Sequence, residues 1–377
     1  MRMVRVMVVA GTRPEAIKMA PVVAALRARP ETYEVRLCVT AQHRQMLDQV
    51  LAIFDLVPDV DLDLMRPDQT LASLTAGALT GVHDTLLRER PDVVLVHGDT
   101  TTTLAASLAA FYAHVPVGHV EAGLRTRDLS RPFPEEANRL LTDHLARFRF
   151  APTERARRNL MQEGILDNIW VTGNTVIDAL LAAVRRVREQ PPDVPGLALD
   201  PKSLGGRRLL LVTGHRRESF GDGFLHIGRA LRRLAQRDDI EIVYPVHLNP
   251  NVQRPIRELL GDLPRVHLIE PVPYLPFVRL LDACHVVLTD SGGIQEEAPA
   301  LGKPVLVMRD ITERPEAVDA GTARLVGARE DAIVASVTEL LDDDAAWRAM
   351  ALASNPYGDG RASEHIADLL ADAVLRA

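Results

Sequence analysis

The stretch VRVMVVAGTRPEAIKMAP (residues 4–21) passes from a valine-rich apolar run directly into a turn and a segment of helical apolar spacing. A strand feeding a helix through so short a turn opens an α/β domain. At this first turn such domains often carry a glycine-rich phosphate loop, in which several glycines let backbone approach a pyrophosphate. This chain has Gly11 alone, followed by Arg13, Glu15 and Lys18. Charged side chains in place of bare backbone suit a site that handles a phosphorylated group and releases it.

Outward from this turn, short β-branched runs alternate with helical stretches. Expected strands are 4–9, 34–39, 92–97, 115–120 and 168–173, then a second series at 207–214, 240–246, 266–271, 285–290 and 304–309. Segments such as APVVAALRA (20–28) and TLAASLAAFYA (103–113) between them read as helices. Strands alternating with helices make parallel sheets covered on both faces. The series breaks at the Pro/Gly-rich stretch QPPDVPGLALDPKSLGG (190–206), and TGHRRESFGDG (213–223) then repeats the position of 11–21 in a second unit. A length of 377 residues also favours two cores over one. The expected architecture is α/β, two Rossmann-like domains facing a central cleft. Residues 1–175 form the first domain and 176–360 the second, with a helix at 361–377 packing back on the first.

Hydrophobic residues make up 47% and charged residues 25%, values of an ordinary globular chain. A formal charge of -7 argues against nucleic acid as partner, so any anion is held by a local cluster. Cys38 and Cys284 lack metal-ligand spacing and read as reduced thiols. The first apolar run is too short for a signal peptide and no run reaches membrane-spanning length, so a cytoplasmic protein is expected.

Polar clusters follow several of the strands. HGDTTTT (97–103), HVEAGLRT (119–126) and PFPEEANR (132–139) place Asp99, Glu121, Glu135 and Glu136 at one edge of the first sheet. Carboxylates crowded in a partly desolvated site raise one another's pKa, which suits acid–base work near neutrality. Read alone, Asp99 is equally the cap of the TTT helix, and Glu135 an acid in a first helical turn. In the second unit TDSGGIQEE (289–297) is a tight turn feeding a helix, with Ser291, Gly292 and Gly293 exposing backbone N–H groups and Glu297 one turn on. His215 follows a strand with Arg216 and Arg217 behind it, a place that suits phosphate. DVDLD (59–63) alternates like the polar face of a short strand and is not taken as a metal site.

Taken together, GTRPEAIKMAP, TAQHRQMLDQV, HGDTTTT, GHVEAGLRT, PFPEEANR, VTGNTVIDAL, VTGHRRES, TDSGGIQEEAP and the RPEA at 314–317 resemble the non-hydrolysing UDP-N-acetylglucosamine 2-epimerases. The resemblance implies a fold of the GT-B type, a homodimer, and interconversion of UDP-N-acetylglucosamine and UDP-N-acetylmannosamine for cell-envelope polysaccharides. It implies acid catalytic positions at Asp99, Glu121 and Glu135, a catalytic histidine at His215, and substrate cations at Arg13 and Lys18. Ser291, Gly292, Glu297 and Arg314 match binders of uridine diphosphate, Gly293 completes their turn, and Phe277 lies in the uracil pocket. Some bacterial members bind a second substrate molecule as activator through positions matching Gln42, Gln45, Arg216 and His247. Val272 departs from a glutamine that some members carry. The C2 proton of the sugar is not next to a carbonyl, so the implied route removes it while UDP leaves C1, then adds both back. That route calls for no metal or other cofactor. The alternatives on the same fold are a UDP-sugar glycosyltransferase or a hydrolysing 2-epimerase.

Overall fold

The computed structural model describes residues 2–40, 44–66 and 69–375, with the backbone alone for 44–46. In chain order the first part contains β1 (Val4–Ala10), α1 (Arg13–Arg27), β2 (Tyr33–Val39), α2 (Arg44–Ile53), β3 (Val60–Asp61), α3 (Leu71–Glu89) and β4 (Val93–His97). It continues through α4 (Thr101–Tyr112), β5 (Val117–Val120), α5 (Glu135–Leu145), β6 (Phe148–Ala151), α6 (Glu154–Gln162), β7 (Ile169–Val171) and α7 (Thr175–Glu189). The strands form one parallel sheet in the order β3-β2-β1-β4-β5-β6-β7.

Side-chain alternation along β1 builds the core on both faces of this sheet. Val4, Val6 and Val8 pack with Ala16, Met19, Val23 and Leu26 of α1, whereas Met7 and Val9 pack with Val82 and Leu86 of α3 and Ala106 and Ala109 of α4. A strand buried on both sides reads as a nearly continuous apolar run, which is why 4–9 was legible as β.

The second part contains β8 (Arg208–Thr213), α8 (Asp222–Leu234), β9 (Ile240–Pro245), α9 (Pro250–Leu260), β10 (Val266–Ile269), α10 (Tyr274–Ala283), β11 (Val286–Thr289) and α11 (Gly292–Glu297). Then come β12 (Val305–Val307), α12 (Pro315–Asp319), β13 (Ala323–Leu325), α13 (Glu330–Asp342), α14 (Asp344–Ala351) and, last, α15 (Ala362–Leu375). Its sheet is parallel with the order β10-β9-β8-β11-β12-β13. Around it lies one apolar core that includes Val212, Phe224, Tyr244, Leu288 and Leu306.

The chain divides into two compact units, one running to Ala179 and resuming at Tyr357, the other Leu180–Pro356. The division falls inside α7, where the sequence suggested 175, and residues 357–360 go with the first unit. Hydrogen bonds explain both differences. Asp178 accepts from the first-turn amides of α15, Ala362 (3.2 Å) and Ser363 (2.8 Å), and Asn174 N donates to Tyr357 O at 2.8 Å. Ile366 and Leu370 of α15 join the core on the α1 face. The strands β3, β6 and β13 were not expected; at two to four residues they are too short to show a period.

In each sheet the strand order reverses once, between β1 and β4 and between β8 and β11. Ligands of such sheets bind at the carboxyl ends of the strands beside that reversal. Gly11 sits at this point in the first unit for a steric reason. A Cβ there would lie 2.2 Å from Thr102 Oγ1 and 2.5 Å from Thr40 Oγ1, both on fully buried threonines. Gly11→Ala is expected to cost about 2 kcal/mol, an overpacking cost, and to lower the thermal midpoint by roughly 5 °C, as read by circular dichroism melts.

Candidate active site

In the first unit the turn after β1 is locked by Glu15, only 2% exposed. Its Oε2 accepts from Gly11 N (3.0 Å) and Thr12 N (2.7 Å), and its Oε1 accepts from Thr100 Oγ1 (2.7 Å) and Thr103 Oγ1 (3.0 Å). Burial raises the Glu15 pKa, opposed by these four donors. The sequence reading, which set Glu15 beside Arg13 and Lys18 as a cleft charge, is corrected. Thr12 and Glu15 form a capping box for α1, a spacing visible in T-x-x-E, and the carboxylate clamps the β1 turn to the β4 turn. Arg13 is half-buried, and its side chain has no hydrogen bond or ion pair among the described residues.

Lys18 reaches from α1 to Glu121, pairing its Nζ with Oε2. The same oxygen accepts from Asn174 Nδ2 at 3.2 Å and stands 3.7 Å from His97 Nε2. Burial pushes the His97 pKa down to about 3 although Glu121 pulls it up, so the ring is uncharged at neutral pH. Glu121 holds φ at 68°, in the left-handed region that costs a non-glycine residue about 1–3 kcal/mol. Gly98, across from it, has φ 67°.

Asp99 follows Gly98 and meets Arg139 Nη2 at 2.5 Å through Oδ2. Burial raises its pKa above the ordinary 3.8; Arg139 opposes the rise, Glu121 and Glu135 add to it, and Lys18 opposes it. The electrostatic coupling draws Asp99, Glu121, Glu135 and Lys18 into one cluster. Asp99 is not the cap of α4: Thr100 is, its hydroxyl accepting from Thr103 N at 3.1 Å. Glu135 opens α5, half-buried and with no side-chain hydrogen bond among the described residues. Glu136 is fully buried and accepts from Thr126 N (3.0 Å) and Arg127 N (2.8 Å), a structural role.

The second unit repeats the arrangement with different chemistry. Asp290, 1% exposed at the end of β11, accepts through Oδ2 from the backbone N–H of His215 (2.7 Å) and Arg216 (2.8 Å). His215 Nδ1 lies 3.2 Å from Oδ1, and the ring stacks on His247 at a centroid distance of 5.9 Å. Burial alone would raise the Asp290 pKa; the hydrogen bond from His215 and the backbone donors bring it below the ordinary value, so it is a carboxylate.

The turn at Ser291, Gly292 and Gly293 begins α11, and Gln295 joins it to the segment after β12. Its Nε2 donates to Ser291 O (3.1 Å), its Oε1 accepts from Thr312 Oγ1 (2.6 Å), and Thr312 Oγ1 accepts from Arg314 N (3.0 Å). Arg314 pairs with buried Glu296, and Glu297 follows on the same short helix. Phe277 is half-buried on α10. Arg216 Nη2 stands 3.7 Å from Glu313 Oε2. Gln42 lies outside the described residues, as does the side chain of Gln45, whose backbone belongs to α2.

The sequence reading missed His97, Arg139, Asn174 and Asp290 as members of these clusters. His97 and Asp290 sit at strand ends, a position that carried the signal. Arg139 and Asn174 come from helices distant in sequence. Among the described residues no group of three or more His, Cys, Asp or Glu side chains forms a metal site, and no helix is long and apolar enough to cross a membrane.

Two parallel sheets, with a carboxylate cluster at the reversal of one and a histidine beside a helix-opening turn at the reversal of the other, make a fold of the GT-B type. A sequence model of the UDP-N-acetylglucosamine 2-epimerase family matches residues 24–371. The chain is 61% identical over 367 residues to a probable UDP-N-acetylglucosamine 2-epimerase of Ralstonia nicotianae, covering 97% of this chain and 98% of that one. It is similar to the crystal structure of the UDP-GlcNAc 2-epimerase of Neisseria meningitidis bound to UDP-GlcNAc, at TM-score 0.86 and 50% identity, covering 98% of this chain and 100% of that one. The glycosyltransferase SnogD of Streptomyces nogalater shares the fold alone, at TM-score 0.61 and 21% identity, over 99% of this chain and all of its own. The chain belongs to the UDP-N-acetylglucosamine 2-epimerase family, whose members are isomerases.

Proposed function

We propose that the protein interconverts UDP-N-acetylglucosamine and UDP-N-acetylmannosamine by elimination and re-addition of UDP. A carboxylate takes the C2 proton, the C2–H electron pair forms a C1=C2 double bond, and the C1–O bond breaks with its pair leaving on UDP. The reverse steps deliver a proton to the opposite face of C2 and return UDP to C1. The observation that carries this reading is the closeness of Asp99 and Glu121 at one buried sheet edge, with the Asp99 pKa raised by burial and Glu121 held beside Lys18. Two acid–base groups of that kind suit proton removal and return on two faces.

Asp99, Glu121 and Glu135 share the proton transfers in this proposal. Arg13, Lys18, His215 and the Ser291–Gly292–Gly293 turn stabilise the departing diphosphate, and Phe277, Glu297 and Arg314 hold the uridine end. Gln42, Gln45, Arg216 and His247 are proposed to take a second UDP-sugar. The proposed setting is a cytoplasmic homodimer serving cell-envelope polysaccharide synthesis.

Substrate carrying ¹⁸O in the C1–O–P bridge tests the elimination. If UDP departs and returns, label moves from the bridge to the non-bridging oxygens of the β-phosphate in recovered UDP-sugar. Bridge label that stays in place while epimer accumulates would contradict it.

A further inference from the structure

His119 lies in β5, two residues before Glu121, and is fully buried. Both ring nitrogens are engaged. Nε2 is 2.7 Å from the carbonyl oxygen of Gly98, and Nδ1 is 2.6 Å from Oδ1 of Asp143 on α5, also fully buried. The other oxygen of Asp143 accepts from Gly123 N at 3.1 Å and stands 2.8 Å from Arg125 Nη2. Arg125 in turn pairs with Glu163, Nε to Oε1 at 2.7 Å and Nη2 to Oε2 at 2.6 Å.

The partners fix the protons. A carbonyl oxygen only accepts, so Nε2 donates. Burial alone would raise the Asp143 pKa, yet it lies below the ordinary value, and the Gly123 N–H and the Arg125 guanidinium both face its second oxygen, so this side chain is a carboxylate. Nδ1 therefore faces an acceptor as well. The ring faces two acceptors, and two acceptors together call for a proton on each ring nitrogen.

We propose that His119, as an imidazolium bonded to Gly98 and Asp143, is the positioning residue that fixes Asp99 and Glu121 relative to one another for the epimerisation, a role that rests on the reading above. The three segments that carry the acids meet at this ring. Gly98 precedes Asp99 in the turn after β4. Glu121 lies between His119 and Gly123, both tied to Asp143. Asp143 belongs to α5, the helix that Glu135 opens. Gly98 and Glu121 both hold left-handed backbone, at φ 67° and 68°. Such conformations persist where the surroundings over-determine them, and His119 supplies a bond to one and the strand that leads into the other. Misplacing a reacting group by about 1 Å costs on the order of 100-fold in rate.

The full-length enzyme labelled with ¹⁵N-histidine tests the protonation. The His119 resonances are assigned by their loss in His119→Asn. Protons on both ring nitrogens are expected; a bare nitrogen on this ring would overturn the inference.

Kinetics test the positioning. His119→Asn keeps a donor towards Asp143 and drops the Gly98 bond, so kcat is expected to fall about 30-fold with KM within about twofold, the scale of outer-shell partners. His119→Gln, which keeps a donor towards Gly98, is expected to recover part of that loss, and serves alone should the Asn variant fail to fold. Unchanged kcat in folded His119→Asn or His119→Gln overturns the positioning role while the epimerase reading stands. A wild-type enzyme that does not epimerise overturns the reading on which it rests.

Discussion

Asp99→Asn lowers kcat by about 1,000-fold, within the range of a lost general acid–base group, and leaves UDP affinity within about twofold. The asparagine keeps the shape of the side chain and an oxygen towards Arg139, so packing is retained while the titratable oxygen is lost. The wild-type pH profile carries the same information. Burial lifts the Asp99 pKa above 3.8 and Arg139 opposes the lift. In the direction where Asp99 takes the proton it must be ionised, so kcat/KM falls on the acidic side with a midpoint above 3.8. The interconversion takes up and releases no net proton, so kcat/KM in the opposite direction carries the same limb. Rate measurements in both directions across pH, on wild type and Asp99→Asn, check the assignment. A variant that retains its acidic limb would reassign that limb to Glu121 or Glu135.

Glu121→Gln has an effect of similar size on rate and an additional one on stability. The rate loss is expected at about 1,000-fold for the same reason as at Asp99. The stability loss arises because Lys18, whose side chain is 16% exposed, keeps its charge while its partner becomes neutral. Breaking a fully buried pair costs about 3–5 kcal/mol, and the residual exposure of Lys18 reduces that to about 2 kcal/mol. The glutamine inherits the φ of 68°, so backbone strain is the same in both proteins and cancels from the comparison. Urea unfolding followed by fluorescence, beside steady-state rates, separates the two effects. Full activity in Glu121→Gln would remove this residue from the proton transfers.

The sheets were legible because their central strands are buried on both faces and must be apolar throughout. VRVMVV and HVVLTD are short and β-branched, which favours strands over helices. The places of Asp99, Glu121, His215 and Ser291 were legible for a related reason: each follows a strand, and strand ends in parallel sheets carry sites. What escaped depended on partners far along the chain. Glu15 meets Thr100 and Thr103, 85 and 88 residues away, and that contact turned an expected cleft charge into an internal clamp. Asp290 went unremarked beside the Ser291 turn, and its carboxylate accepts from the backbone of His215 and Arg216, 75 and 74 residues away. Asp178 is tied to α15, 184 and 185 residues further on, by bonds that spacing in sequence does not show. Spacing in sequence shows which residues share an edge; it does not show which way their side chains turn.

The central claim is proton removal and return at C2 with departure of UDP, and incubation with UDP-N-acetylglucosamine alone in heavy water tests it most directly. The account predicts deuterium at C2 of both recovered UDP-N-acetylglucosamine and UDP-N-acetylmannosamine, at a rate that Asp99→Asn and Glu121→Gln each depress. Folded, UDP-binding enzyme that returns unlabelled substrate after long incubation would contradict it, as would free N-acetylmannosamine and UDP as the main products.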